Sequence, residues 1–245
     1  MTRFKAFATH LATSVTIVTT FFLMILFWWY PGGFLEVEGV KGVMMVLLGV
    51  DVVLGPTLML ILFKPGKKGL WFDVTAILVV QVTAFLYGAT VIYTERPLYL
   101  SFYIDNFTVV PASKVAGQEG GDASVQPSFW QVGPKKVFVR RPSDKERSEI
   151  VGDLLNRQGV GLEMRTKLFL PYEEHVQKVV EAGEPLSALY RSNPEVKPLV
   201  AAVLQKFQMP EDGVIHFPVK GREGFRFGLF SKKDASLLDI LPLVE

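Results

Sequence analysis

Asp51 is a carboxylic acid in the middle of a long apolar stretch, where it could do several kinds of chemistry. A charged carboxylate at the centre of a membrane-spanning helix costs about 2.5–3.5 kcal/mol, so Asp51 must be protonated, paired or turned towards other helices. Three interpretations stay open. We favour a buried polar latch between helices over a contact with another protein's transmembrane helix and over proton or ion chemistry.

Gly55 and Pro56 follow Asp51 in the same stretch. Proline has no backbone N–H and cannot donate to the carbonyl of Val52, which predicts a kinked helix here. The neighbouring apolar stretches offer polar side chains that we expect to be hydrogen-bonding partners of Asp51. They are Thr9, Thr13, Thr16 and Thr20 at helical spacing on the first, and Gln81, Thr83 and Tyr87 on the third.

Asp73 is a second aspartate next to an apolar stretch, and a pair of aspartates could form a protease dyad. Such a dyad needs two carboxylates that nearly touch. At 1.5 Å per helical residue, the predicted depths of Asp51 and Asp73 differ by roughly 18 Å. We therefore predict that Asp73 is the N-cap of the third helix, beside a lysine-rich loop.

The uneven distribution of apolar and charged residues along the chain predicts the helices that carry these residues. The 245-residue chain is 49% hydrophobic and 20% charged, and most of its charges follow residue 94. A bilayer core needs about 20 apolar residues in a helix. The stretches that meet this requirement are Leu11–Tyr30, Val43–Phe63 and Val74–Tyr93. The predicted fold is a membrane protein with three N-terminal transmembrane α-helices in residues 1–94, followed by an α+β extracytoplasmic domain in residues 95–245.

The basic residues predict the orientation of these helices. Most of those in short loops lie before the first helix or between the second and third, whereas residues 31–42 offer Lys41 alone. Because cytoplasmic loops are enriched in Lys and Arg, we expect a cytoplasmic N-terminus and a periplasmic C-terminal domain in a bacterial inner membrane.

The sequence of the C-terminal part predicts a mixture of strands and helices. Its expected elements are one or two strands in Leu98–Val110, a linker over residues 111–128, a strand at Lys136–Arg140, a helix from the capping box at Ser143 to about Gln158, two or three helices across residues 172–208, and a β-meander of Val214–Val219, Phe225–Ser231 and Leu237–Leu241.

Few residues of this domain have the types or spacing needed for catalysis. His175 and His216 are isolated, without metal-ligand spacing, so no metal and no cofactor is predicted. Arg96 follows the third apolar stretch and is expected to pair with Glu95 or Asp105, or to anchor to lipid phosphate. The absence of cysteine excludes disulfides and thiolate chemistry, and a net charge of +2 argues against nucleic acid as a partner.

An ordered series of short motifs resembles the type IV pilin accessory proteins, the TfpX/TfpZ family, over residues 1–112. The motifs are Leu35-Glu36-Val37-Glu38-Gly39, Gly49-Val50-Asp51-Val52-Val53-Leu54-Gly55-Pro56, Phe63-Lys64-Pro65-Gly66-Lys67-Lys68, Phe72-Asp73, Gln81, Leu86-Tyr87-Gly88 and Glu95-Arg96-Pro97. One departure is Asp105-Asn106-Phe107, where the family tends to have Asp-Arg-Phe, so a role for that arginine is not carried over.

The resemblance implies an inner-membrane protein that supports assembly of a particular type IV pilin, without known catalytic chemistry. Pilin, the pilus assembly machinery and membrane lipid are then the expected partners. The candidate partner-binding or structural residues are Asp51, Gly55, Pro56, Asp73, Gln81, Tyr87, Gly88, Arg96, Pro97 and Asp105.

The main expectation is a non-enzymatic factor in which Asp51 or the Gly55-Pro56 kink shapes a groove for the pilin helix. The alternative is a membrane enzyme that modifies pilin or a lipid-linked substrate. Its acid–base candidates are Glu36, Glu38, Asp105 and His216.

Overall fold

The computed structural model of the protein describes residues 2–118, 122, 124, 126–128, 130–155 and 159–242. The chain forms two compact units, which we call the helical unit and the sheet unit. The helical unit comprises Met1–Trp29 and Val40–Glu95, and the sheet unit comprises Tyr30–Gly39 and Arg96–Glu245. Residues 30–39, predicted to belong with the transmembrane helices, are grouped with the C-terminal domain in the structure.

The helical unit contains three helices long and apolar enough to cross a membrane. They are α1 (Arg3–Trp29), α2 (Lys41–Leu62) and α3 (Leu70–Thr94). The hydroxyl of Thr2 caps the start of α1 by accepting from the Lys5 backbone N–H at 3.2 Å. At its N-terminal end, each helix extends beyond the apolar stretch that predicted it.

A π-helical segment, Gly49–Leu54, precedes Pro56 in α2. The Gly55 N–H donates to the carbonyl of Val50, five residues back, which is the π-helical pattern. Pro56 cannot continue the ordinary ladder because it lacks an N–H, and the wider turn takes up this break. The kink predicted at Gly55-Pro56 stays a prediction; directly before these two residues the structure has a π-helical turn that contains Asp51.

The start of α3 differs from the prediction that Asp73 is its N-cap. The cap position is Gly69, whose φ of +85° lies in the left-handed region that favours glycine. Asp73 lies in the first turn and forms an ion pair with Lys67. The prediction that Asp73 is the cap residue is therefore wrong. A carboxylate in the first turn nevertheless interacts favourably with the helix dipole, as expected for Asp73 at this end of the helix.

The helices of this unit approach closely where a glycine faces a long side chain. A Cβ on Gly88 would lie 2.7 Å from Leu47 Cδ2, and a Cβ on Gly55 would lie 2.0 Å from Gln81 Nε2. Small residues at such contacts let apolar helices pack without a hydrophobic driving force between them.

The sheet unit is built on a mixed sheet with the strand order β4-β3-β1-β2-β6-β7-β8, and β5 pairs with β6. The strands are β1 (Pro97–Tyr103), β2 (Asn106–Pro111), β3 (Lys135–Val139), β4 (Phe169–Pro171), β5 (Glu184–Pro185), β6 (Val214–Gly221), β7 (Gly224–Ser231) and β8 (Leu237–Ile240). The predicted segment Leu98–Val110 is thus an antiparallel hairpin, and the predicted meander is present.

The two halves of the sheet join through parallel pairs. β1 pairs in parallel with β3, and β2 pairs in parallel with β6. These central strands are buried over most of their length, which explains why Leu98–Val110 is almost continuously apolar. Phe107 lies at the centre, where its ring stacks on that of Phe230 with the centroids 4.4 Å apart and meets the Phe217 ring edge-on at 5.2 Å.

The helices of the sheet unit are α4 (Asp144–Leu155), α5 (Val176–Ala182), α6 (Leu186–Ser192) and α7 (Lys197–Phe207), with single turns at Phe34–Val37 and Ala112–Val115. The predicted capping box is present, because Glu146 Oε2 accepts from the Ser143 N–H at 2.8 Å and the Glu146 N–H donates to Ser143 Oγ at 3.4 Å. The predicted end of that helix at Gln158, and Gly120 and Gly121 of the predicted linker, lie outside the described residues.

The loop Tyr30–Gly39 packs within the sheet unit against the β6–β7 hairpin. The Glu223 N–H donates to the carbonyl of Val37 at 3.0 Å. Gly221 leaves room for this contact, since a Cβ there would lie 2.1 Å from Val37 Cγ1 and 2.8 Å from the Val37 carbonyl oxygen. The loop that separates the first two helices in sequence is therefore a structural part of the C-terminal domain.

Gly221→Ala should destabilise the sheet unit by about 1–3 kcal/mol, because the new methyl group overlaps the backbone of Val37. The measurement is thermal unfolding of the full chain in detergent. Gly152→Ala is the matched control: nothing lies within 4 Å of its Cβ position, and alanine is the better helix former within α4. Equal melting temperatures for Gly221→Ala and the unsubstituted chain would contradict the prediction.

Candidate functional site

A groove of about 630 Å³ lies within the helical unit, between α1 and α3, with α2 as its floor. Its walls are mostly apolar, but polar side chains interrupt them at mid-length. The lining residues are Ala6, Thr9, His10, Thr13, Ser14, Ile17, Val18, Asp51, Met59, Phe63, Val74, Leu78, Gln81, Val82, Phe85 and Leu86. A groove of this size matches the volumes of sites that hold a substantial ligand.

Gln81 on α3 joins the three helices of this unit at the base of the groove. Its Oε1 lies 2.8 Å from His10 Nε2 on α1, and its Nε2 donates to the backbone carbonyl of Asp51 on α2 at 3.1 Å. Gln81 is buried, and the missing side chain at Gly55 leaves the space that its amide fills. One side chain therefore satisfies groups on both neighbouring helices.

Asp51 keeps a free acceptor at this site. Its side chain is buried, with 6% of the residue exposed. Among the residues that the structure describes, none forms a hydrogen bond with Asp51 Oδ2. A buried polar atom without a hydrogen-bond partner costs free energy of folding, so Asp51 Oδ2 is an acceptor in the groove that is available to a hydrogen-bond donor.

The threonines predicted as partners of Asp51 have a different role. The hydroxyls of Thr13, Thr16 and Thr20 donate to carbonyls of their own helix four residues back, at 3.0, 2.8 and 2.8 Å. Thr83 is exposed, as is Tyr87 at 74%. Of the side chains expected to reach Asp51, the structure brings Gln81 to it, because a threonine hydroxyl in a helix binds its own backbone readily.

His10 is the site residue that the sequence reasoning missed. It lies between Lys5 and the centre of the first apolar stretch, and its ring is half-buried against Gln81. The available signal was an ionisable ring in an apolar helix, next to Thr9 and one helical turn before Ser14.

The remaining predicted residues are distributed over both units. In the helical unit, Pro56 is buried on α2 after the π-helical turn, and Gly88 faces Leu47. In the sheet unit, Pro97 opens β1 opposite Pro111.

Arg96 and Asp105 also lie in the sheet unit. The Arg96 carbonyl accepts from the Ala112 N–H at 3.0 Å. Asp105 lies in the β1–β2 turn, where its Oδ1 accepts from Asn106 Nδ2 at 3.0 Å. The structure thus brings Asp51, Gly55 and Gln81 together and places Arg96, Pro97 and Asp105 at the β1–β2 hairpin.

His216 is a buried ionisable group of the sheet unit. It lies on β6, with Nε2 3.6 Å from Glu184 Oε2 and its ring edge-on to Phe227. Burial lowers the pKa of His216, against the opposing effect of the Glu184 carboxylate. Within the described residues, no three His, Asp or Glu side chains are grouped so that they could hold a metal ion.

Fimbrial assembly proteins of Dichelobacter nodosus are similar to this chain. The protein of serogroup I is 26% identical over 235 residues, which cover 93% of this chain and 90% of the relative. The protein of serogroup E1 is also 26% identical over 235 residues, with the same coverage of 93% and 90%. The protein of serogroups C1 and C2 is 32% identical over 103 residues, which cover 41% of this chain and 79% of the relative. No protein-family model matches the chain, and no solved structure matches it.

Gln81→Leu should destabilise the helical unit by about 1–2 kcal/mol, because it removes two hydrogen bonds between helices. Thermal unfolding of the purified protein in detergent measures the change. Thr83→Leu is the control, since it makes a polar-to-apolar change on the exposed face of the same helix. A melting temperature for Gln81→Leu that matches the control would show that the polar contacts contribute nothing.

The depressed pKa of His216 predicts a loss of stability in acid. At a pH above 6.5, the ordinary pKa of histidine, His216 is neutral in both the folded and the unfolded chain. At a lower pH the unfolded chain binds a proton at His216 more readily than the folded chain, in which the ring is buried, so acid favours unfolding. Lowering the pH from 7.5 to 5.5 should therefore reduce the melting temperature more for the unsubstituted chain than for His216→Phe. Parallel pH profiles for the two proteins would overturn this assignment.

Proposed function

This chain belongs to the family of fimbrial assembly proteins, accessory proteins of type IV pili, and we propose that it supports pilus assembly by binding the pilin subunit. A role in pilus biogenesis follows from the family. The binding partner, the membrane location and the mode of action are our proposal, and they rest on the features of the two units.

The helical unit is proposed to span the bacterial inner membrane three times. Its helices are long and apolar enough to do so. The excess of basic residues at the start of α1 and in the α2–α3 loop supports a cytoplasmic N-terminus. With three crossings, the same rule supports a periplasmic C-terminal domain.

The groove between α1 and α3 is the observation that carries the proposal. A pilin that awaits assembly holds an apolar helix in the same bilayer. A groove lined by residues from Ala6 to Val18 on α1 and from Val74 to Leu86 on α3 runs roughly 18 Å along each helix, which is more than three helical turns. That length suits a helix of a partner better than it suits a compact ligand.

The C-terminal domain is proposed to contact the globular head of the same pilin. A partner held by two weak contacts on one chain experiences a raised effective concentration at the second site once the first has formed. Neither contact then needs high affinity by itself. This arrangement suits an accessory protein that must release the subunit to the growing pilus.

We propose that the protein acts without catalysis. Three of the four side chains named for the enzyme alternative, Glu38, Asp105 and His216, have surroundings consistent with a structural role. His216 is buried on β6 beside Glu184, and Asp105 is bonded within the β1–β2 turn. Glu38 is buried near Gly221, where the loop meets the β6–β7 hairpin.

Photo-crosslinking from the groove should capture pilin. A photoreactive phenylalanine analogue at Ile17, which lines the groove and is 51% exposed, should crosslink to the apolar helix of a co-expressed pilin. The same probe at Val15, 42% exposed but outside the groove lining, is the matched control. Mass spectrometry of the crosslinked product identifies the partner and the attached residue.

The two probes separate specific docking from chance collision. Pilin captured from Ile17 and at least several-fold less from Val15 supports docking in the groove. Pilin captured equally from both positions, or from neither, contradicts the proposal. Surface piliation measured in the same cells shows whether each variant remains functional.

A further inference from the structure

The groove contains one buried acceptor that the helical unit itself leaves unused. Gln81 already uses both ends of its amide, on His10 and on the Asp51 backbone. Thr13 donates to its own helix. Asp51 Oδ2, by contrast, has no hydrogen-bond partner among the described residues, although its residue is only 6% exposed and lines the groove.

A latch that served only to hold the three helices together would satisfy its own polar atoms. Gln81 meets that description, since its contacts reach two neighbouring helices. Asp51 meets it only in part: its side chain interacts with Gln81 and His10, yet its Oδ2 has no hydrogen-bond partner among the described residues. The difference between these two side chains separates a structural role from a recognition role.

We propose that the helix bound in the groove brings a hydrogen-bonding side chain to Asp51, and that this contact selects the partner. The inference rests on the proposed function and specifies its chemistry. The occupant is a transmembrane helix of pilin with one polar side chain at the matching depth. Asp51 lies near the middle of α2, roughly 15 Å from either end, so the polar residue lies near the middle of the bilayer.

A lipid acyl chain is a poorer occupant for a physical reason. A hydrocarbon tail can fill the apolar part of the groove, but it offers no hydrogen bond to Asp51. A helix with a polar side chain fills the same space and also satisfies the buried oxygen. Interhelical hydrogen bonds in membranes are modest in strength, which fits a reversible complex.

Two substitutions at Asp51 test the contact through the Ile17 crosslink. Asp51→Leu removes the polar group and should reduce capture of the pilin helix roughly three- to tenfold, as expected for the loss of one interhelical hydrogen bond. Asp51→Asn has the same shape and keeps an oxygen acceptor, so capture should stay close to the level of the unsubstituted chain. Thr57→Leu, an exposed polar-to-apolar change on the same helix, is the control and should have no effect.

The melting temperature of the free protein distinguishes a recognition role of Asp51 from a purely structural one, because the two roles predict different effects of Asp51→Leu. If Asp51 is a recognition residue, Asp51→Leu removes an unsatisfied buried group and should leave the melting temperature in detergent equal or higher. If Asp51 is a latch, the same variant should melt at a lower temperature, as Gln81→Leu is expected to do. A lower melting temperature for Asp51→Leu overturns the inference.

The partner side chain is found by a double-mutant cycle. Each polar residue of the pilin helix is replaced by leucine in turn, and capture from Ile17 is measured with the unsubstituted chain and with the Asp51→Leu variant. One pilin substitution should reduce capture by the unsubstituted chain and have no further effect on the Asp51→Leu variant. Strictly additive effects at every position would overturn the inference.

The outcomes also separate this inference from the proposed function. Capture of pilin that is unchanged by Asp51→Leu leaves docking intact and shows that the polar contact is wrong. No capture of pilin by the unsubstituted chain means that the proposed function fails. A crosslinked product whose added mass is that of a phospholipid means that an acyl chain occupies the groove, and both proposals fail.

Discussion

The side-chain amide of Gln81 connects all three helices of the helical unit through hydrogen bonds. Apolar helices in a lipid environment gain no hydrophobic free energy by associating, so close packing at glycine and a few hydrogen bonds must determine the arrangement. Gly55 provides the space for the amide, and the π-helical turn around Asp51 places a backbone carbonyl opposite its N–H₂ group. The groove between α1 and α3 exists because these contacts hold the base of the unit together while the walls remain apart.

We propose that Asp51, a residue that is costly to bury, serves the recognition of a partner helix. Its position near a proline and within a π-helical turn keeps the carboxylate close to the groove while Gln81 binds the backbone carbonyl of the same residue. The free oxygen lowers the stability of the isolated protein and increases the gain in free energy when a partner satisfies it. A stability penalty at a binding site suits a protein that must bind and release, and an accessory protein of pilus assembly is expected to do both.

The sheet unit combines segments from distant parts of the chain. The loop Tyr30–Gly39 packs against the β6–β7 hairpin through the Val37 carbonyl and the space above Gly221. Since the same loop is covalently joined to both α1 and α2, the C-terminal domain is connected to the helices at more points than the single link after α3. The β6–β7 hairpin packs against residues that precede it by more than 100 positions, so truncated versions that begin after α3 lack part of the packing of this domain.

Local sequence was enough to predict the three apolar helices, the capping box at Ser143 and the strands of the meander, because each follows from composition, spacing or turn chemistry. It also singled out Asp51 and Gln81, since polar groups in apolar helices are few. The three-dimensional arrangement was needed to show that His10 completes the polar contact, that the threonines of α1 bind their own helix, and that residues 30–39 belong to the sheet unit. Those outcomes depend on which helix faces meet and on which strands pair in parallel, and both are set by packing between segments that are remote in sequence.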